Sequence, residues 1–279
     1  MKSTSPVGIF DSGIGGLTVA GAVHRLLPDE QLIYFGDTEH LPYGDKSPEA
    51  IRSYSLNIGR FLLDQNCKMI VIACNSASSH AYQALVDELG HRVPIVNVID
   101  PVVESITKGG KSHHIGVIGT KSTIQSGLYA SKIAQKDTSI KVSSLATPLL
   151  APMIEEGFFD NNISHTVIQS YLSSPKLNNI DTLVLACTHY PLIEKEINDY
   201  YNGKVDIINS AEIVAEHIKS DLSRRGLLNS SPPEAHRFYV SDYTKSFEKS
   251  TRLFFGEKIS LKLHHLDSSR GADSKLTVK

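Results

Sequence analysis

The sequence predicts an α/β protein of two similar lobes, each a mostly parallel sheet flanked by helices, with the functional site in the cleft between them. Three observations lead there. Short runs rich in Val and Ile alternate with longer stretches of helical periodicity, the pattern of parallel sheets covered by helices. Two of those runs, Met69-Ile-Val-Ile-Ala73 and Thr182-Leu-Val-Leu-Ala186, are unbroken apolar segments, as strands buried on both faces are, and each is followed by a cysteine. The two halves also echo one another, with Val7-Gly-Ile-Phe-Asp11 resembling Ile115-Gly-Val-Ile-Gly119.

In chain order, strands are expected at residues 7–10, 32–35, 69–73, 95–99, 115–119 and 183–186, with helices between them. Ser47-Pro48-Glu49 is a helix start, with a capping serine and a proline at the first helical position, and Ser210 followed by Glu212 opens another. After Cys74 come a strand-like segment to Ile99, then Asp100 and a helix from Pro101. After Cys187 come a strand over 204–208, then Asn209 and the helix opened by Ser210. A duplicated unit and a doubly wound fold both account for this echo. Under either, ligands bind beyond the carboxyl ends of the strands, which is where Cys74 and Cys187 stand. The tail, 266–279, is polar and without periodicity and is expected to be disordered.

Composition narrows the function. A chain of 279 residues with 41% hydrophobic residues can fill one large α/β core or two smaller ones. Its net charge of −2 is too balanced to predict binding of nucleic acid or an anionic membrane, which leaves a small-molecule partner. The polar start, Met1 to Pro6, lacks the regions of a signal peptide, and no apolar run approaches the roughly 18 residues of a membrane span, so a cytoplasmic protein is expected. Cys67, Cys74 and Cys187 match no disulfide framework and are read as thiols that either pack or react.

Cys74 lies in Ala73-Cys-Asn-Ser-Ala77 and Cys187 in Ala186-Cys-Thr-His-Tyr-Pro191, each a thiol followed by small hydroxyl or amide groups at a strand-to-helix turn. A helix N-terminus offers unpaired N–H groups and partial positive charge, which hold an anionic substrate and activate a thiol. Buried free cysteine is also a common packing residue, but matched positions and matched polar neighbours in two lobes favour chemistry over packing. Cys67 has no polar residues after it of that kind and is assigned to the core. His189, two residues after Cys187, is close enough to tune it, although a histidine near a strand end also serves as a hydrogen-bonded spacer. Zinc on Cys74, Cys187 and His189 lacks the paired spacing that such sites use, and no metal is expected.

Asp11-Ser-Gly-Ile-Gly-Gly16 comes directly after the first strand and brings backbone N–H groups close to a ligand carboxylate or phosphate. It is not a dinucleotide fingerprint, since the third glycine would fall at Thr18, and Gly116-Val-Ile-Gly-Thr-Lys-Ser122 misses the P-loop spacing. Asp37 and Tyr43-Gly44, in the loop after the second strand, either line the cleft or form its turn.

Phe10-Asp-Ser-Gly-Ile-Gly-Gly16, Pro42-Tyr-Gly44, the Cys74 turn, Glu155-Glu-Gly157 and Ala186-Cys-Thr-His-Tyr-Pro191 together resemble the glutamate racemase family in order and spacing, over residues 7–265. That resemblance implies a bacterial enzyme that makes D-glutamate for peptidoglycan, without cofactor, acts as a homodimer and uses Cys74 and Cys187 as opposed bases. It implies that Cys74 deprotonates D-glutamate and Cys187 L-glutamate, assisted by Asp11, Glu155 and His189. Ser12, Tyr43, Gly44, Asn75, Ser76 and Thr188, with Asp11 and His189, are implied to bind the substrate. The family usually carries threonine where Ser76 stands, which keeps the hydroxyl and loses a methyl. Glu155 is preferred over Glu156 for the acidic role. The resemblance further implies a split first lobe, 1–98 with 210–265, and a second lobe, 99–209.

Several alternatives stay open at this level. Pyridoxal phosphate on a lysine such as Lys121 is one. A racemase of aspartate or hydantoin is another, disfavoured because those enzymes commonly carry glutamate at the position of His189. A cysteine hydrolase would leave Cys74 idle, and a nonenzymatic amino-acid-binding protein would use both cysteines for packing.

Overall fold

Two parallel sheets organise the chain. The structure is a computed structural model and describes residues 2–108, 110 and 112–266. The first sheet begins with β1 (Val7–Asp11), α1 (Leu17–Leu26), β2 (Leu32–Gly36), α2 (Pro48–Asp64), β3 (Met69–Ile72), α3 (Asn75–Leu89) and β4 (Ile95–Asn97). α4 (Ile99–Lys108) leads into the second sheet: β5 (His114–Gly119), α5 (Lys121–Gln125), α6 (Leu128–Lys136), β6 (Lys141–Ala146), α7 (Leu150–Glu155), α8 (Asn162–Leu172), β7 (Thr182–Ala186), α9 (Glu194–Tyr201) and β8 (Asp206–Asn209). The chain then returns through α10 (Ser210–Arg224) to β9 (Arg237–Val240), α11 (Lys245–Phe255) and β10 (Leu261–Leu263), which extend the first sheet.

The strand orders are β10-β9-β2-β1-β3-β4 and β6-β5-β7-β8, and the pairings are parallel throughout. The order β2-β1-β3-β4 in one sheet is therefore repeated as β6-β5-β7-β8 in the other. In each, the order reverses at the first strand of the set, and this switch point opens a crevice at the strands' carboxyl ends. Asp11 and Cys74 obey that rule in the first sheet, Thr120 and Cys187 in the second.

The expected alternation of strands and helices is what the chain forms, with three local differences. The segment after Asn97 leaves the sheet early, because the side-chain oxygen of Asn97 accepts from the amides of Ile99 and Asp100, both at 2.9 Å, and α4 starts at Ile99 rather than at Pro101. α10 does open at Ser210, with Asn209 as its cap, accepting from the Ala211 amide at 3.0 Å. Cys187 leads into a short 3-10 turn, Tyr190–Ile193, before α9 begins. Finally, β6, β9 and β10 were not expected from the sequence pattern. Of the tail expected to be disordered, residues 267–279 lie outside the described residues.

Ser47 caps α2 as the sequence indicates, its hydroxyl accepting from the Ala50 amide at 3.2 Å with Pro48 at the first helical position. Every residue of β1, β2, β3 and β7 is buried, so each apolar side chain there contributes about 1.5–3 kcal/mol of transfer free energy. Cys67 belongs to this core: a Cβ at Gly8 would lie only 2.8 Å from its sulfur, and burial pushes its thiol up to about 12. The returning segment is tied down by Lys68, fully buried, whose ammonium lies 2.5 Å from the Glu30 carboxylate and 2.8 Å from the Leu227 carbonyl oxygen.

Candidate active site

The carboxyl ends of β1 and β3 on one side, and of β5 and β7 on the other, enclose a cavity of about 220 Å³. That lies below the roughly 300–1,000 Å³ of pockets for drug-sized ligands and suits a small substrate. Ser12, Tyr43, Gly44, Cys74, Asn75 and Ser76 line it from the first sheet's side, and Glu155, Cys187, Thr188 and His189 from the second. Asp11 is fully buried behind this wall, with one carboxylate oxygen accepting from the Gly16 amide at 2.8 Å and the other without a hydrogen-bond partner. The cavity lining contains no lysine or arginine. Lys121 lies instead in an adjoining groove, 3.3 Å from Asp45.

Cys74 is the N-cap of α3, and its sulfur accepts from the Ala77 amide at 3.4 Å and lies 3.7 Å from the Ser12 hydroxyl. Burial and the Asp11 carboxylate raise its thiol pKa well above the ordinary value, against the smaller opposing pull of the Ala77 amide and Ser12. Its neutral thiol is therefore the favoured form before any ligand binds.

The surroundings of Cys187 differ. Its sulfur lies 3.7 Å from Nδ1 of His189, whose Nε2 lies 2.8 Å from the Glu155 carboxylate. Burial disfavours charge on that imidazole, yet hydrogen bonds to Cys187 and Glu155 outweigh it and hold the pKa well above 6.5. An imidazolium is thus favoured beside Cys187. Glu155, at the end of α7, makes this contact while its neighbour Glu156 is exposed beyond the helix.

The polar groups of the cavity are braced by further side chains. The side-chain oxygen of Asn75 accepts from the Tyr129 hydroxyl at 2.8 Å, which turns its amide NH2, buried and without a partner, to other use. Ser76 exchanges hydrogen bonds with Thr120 at 2.9 Å and Thr123 at 3.3 Å across the cleft. Thr120 lines the cavity as well. At Gly44 any side chain would collide with this wall, since a Cβ would lie 2.9 Å from that of Thr120. Asp37, left open by the sequence, accepts from Tyr43 at 2.5 Å and Ser241 at 2.8 Å, and so supports the cavity from outside. Tyr129 and Thr120 carried no motif; for these two, the hydroxyl at Thr120, just after a strand equivalent to β1, was the one available signal.

Among the described residues no three His, Cys, Asp or Glu side chains are gathered to hold a metal ion. No helix among them is long and apolar enough to cross a membrane.

Residues 18–218 match the family model described as Asp/Glu/Hydantoin racemase. The chain is 42% identical to a glutamate racemase of Chlorobaculum tepidum over 93% of its own length and 95% of that protein's. It is 41% identical to one from Geobacter metallireducens, over 91% and 93% of the two chains. Among solved structures, glutamate racemase from Francisella tularensis in complex with D-glutamate superimposes with a TM-score of 0.90 at 36% identity, covering 95% of this chain and 99% of that one. With this fold, these two cysteine turns and this degree of identity, the chain belongs to the Asp/Glu/hydantoin racemase family, among its glutamate racemases.

Proposed function

We propose that the chain interconverts L- and D-glutamate by proton transfer between two thiols, as a cofactor-independent isomerase. The observation that carries this reading is that Cys74 and Cys187 line one small cavity from the ends of equivalent strands in two sheets. Racemisation requires a base on one face of the α-carbon and an acid on the other. L-Glutamate gives its α-proton to Cys187 as thiolate, and Cys74 as thiol returns a proton from the opposite face. D-Glutamate reverses the roles.

The different surroundings of the sulfurs support this division. An imidazolium at His189, backed by Glu155, complements a thiolate at Cys187, while the raised pKa of Cys74 keeps a proton available there. After an L-to-D turnover the proton must be moved back, and Asp11 and the His189–Glu155 pair are the groups proposed to carry it. A thiol with an ordinary pKa of about 8.5 is a weak base towards a carbon acid, so the site must also stabilise the carbanion. The free amide of Asn75, the hydroxyls of Ser12, Ser76 and Thr188, the Tyr43-Gly44 segment and the amides opening α3 hold the two carboxylates in this scheme.

The same reading supplies D-glutamate for peptidoglycan in the cytoplasm, from a homodimer whose subunits divide into lobes 1–98 with 210–265 and 99–209. Circular dichroism or chiral chromatography of the purified protein with each enantiomer of glutamate and aspartate tests it. Equilibration of both glutamate enantiomers, unaffected by dialysis against chelator, is the expected result. Activity on aspartate alone, or activity restored only by zinc or pyridoxal phosphate, would overturn the reading.

A further inference from the structure

The turn that carries Cys187 and His189 is gripped from the other side of the cleft. Thr18, buried in the first turn of α1, places its hydroxyl 3.0 Å from the Thr188 carbonyl oxygen and 2.9 Å from that of Gly15. Gly15 approaches so closely that a Cβ there would lie 2.4 Å from Cε1 of His189 and 2.6 Å from the Thr188 hydroxyl. Phe254 of α11, 4% exposed, sets its ring edge-to-face against His189, with centroids 5.2 Å apart and planes at 82°.

The two polar contacts of His189, to Cys187 and Glu155, run through opposite ring nitrogens. Hydrogen bonds tolerate a range of angles and the contact to the Cys187 sulfur is long, at 3.7 Å, so the pair alone leaves the ring room to tilt and shift. Gly15 beneath the ring and Phe254 against it remove this freedom, and Thr18 pins the backbone of the same turn. Misplacement of a reacting group by about 1 Å can cost about 10²-fold in rate, so this restraint bears directly on chemistry.

We infer that Thr18 and Phe254 are positioning residues for one face of the reaction: they fix His189 against Cys187 and leave the half-reaction of Cys74 unaffected. The inference rests on the two-thiol reading above. Overall racemisation passes through both thiols and does not separate them, but elimination from β-chloroglutamate does. One base takes the α-proton, the C–H electrons form a Cα=Cβ bond, and chloride leaves from Cβ. The resulting enamine tautomerises to an imine, which water converts to 2-oxoglutarate and ammonia. No proton is needed from the far face.

The experiment measures initial elimination rates from the L- and D-configured substrates for wild type, Cys187→Ser, Phe254→Leu, Thr18→Val and Thr18→Ser. The ratio of the L rate to the D rate is independent of how much of each variant is folded. It should fall about tenfold in Phe254→Leu and Thr18→Val and return to within about twofold of wild type in Thr18→Ser, which keeps the hydroxyl. Equal losses on both enantiomers, or an unchanged ratio, would overturn the inference. Cys187→Ser is the control: if it retains the L route, the two-thiol reading itself fails. If it loses that route while Phe254→Leu and Thr18→Val stay unselective, only the positioning role falls. Should Phe254→Leu fail to fold, the near-isosteric Thr18→Val decides.

Discussion

The Cys74 and Cys187 turns occupy equivalent places, just beyond β3 and β7, yet almost everything around the two sulfurs differs. Cys74 caps a helix of 15 residues and is buried near a carboxylate. Cys187 opens only a four-residue 3-10 turn and faces an imidazole. Repeated topology delivers a thiol to the same position in each sheet, because a parallel strand and its crossover leave the chain there. The residues immediately after each cysteine then decide whether an amide or a titratable ring sits next to the sulfur.

The largest effects should come from breaking either side. Serine at Cys74 or at Cys187 is expected to slow racemisation by about 10²–10⁴-fold, the usual contribution of a general acid or base. The two variants should retain elimination from opposite enantiomers of β-chloroglutamate. Elimination from the same enantiomer in both would abolish the distinction between the turns.

Alkylation reads the asymmetry without substrate. In a Cys187→Ser protein, burial and Asp11 hold Cys74 as the thiol, and Cys67 is pushed up to about 12 by burial. A raised pKa means that thiolate appears only as the pH climbs, so the rate with iodoacetamide should be low at neutral pH and rise about tenfold per pH unit without levelling off up to about pH 10. A rate that levels off near neutral pH would show that Cys74 is held as the thiolate.

A smaller effect is expected at Asn75, the amide beside Cys74 proposed to hold substrate. Tyr129→Phe removes the donor that orients Asn75, and loss of one hydrogen bond of about 1 kcal/mol should raise KM about fivefold with little change in kcat. A change confined to kcat would move Tyr129 out of substrate binding. The third cysteine sets the baseline. Cys67→Ala should keep activity within about twofold and lose about 1 kcal/mol of stability through the small void left under Gly8. A folded but inactive Cys67→Ala protein would mean that a third thiol takes part.

Legibility in the sequence tracks burial and sequence distance. β1, β3, β5 and β7 lie inside their sheets and read as apolar runs, so the strands that deliver both cysteines were found. β6 and β10 are edge strands, and β6, only partly buried, reads Lys-Val-Ser-Ser-Leu-Ala with no apolar run to notice. β9 alternates buried and half-buried residues over only four positions. At the site, Cys187 and His189 are two residues apart and visible together, whereas Tyr129 meets Asn75 across 54 residues and Thr18 meets Thr188 across 170. Such partners are created by folding two sheets against each other, and no local spacing encodes them. The early start of α4 was missed differently: the hydrogen bonds from the Ile99 and Asp100 amides to the Asn97 side chain alone show where that helix begins.

The unequal sulfurs also meet a constraint that the protein does not control. Mirror-image forms of an amino acid have identical free energies in water, so their equilibrium constant is one whatever the site looks like. Detailed balance then requires kcat/KM to be the same in both directions. An imidazole on one side and a helix end on the other cannot make the enzyme favour D-glutamate at equilibrium; they can only divide the common value differently between turnover and saturation. The side that binds its enantiomer more tightly must turn it over more slowly in the same proportion, and net conversion towards either form has to be drawn by whatever consumes that form.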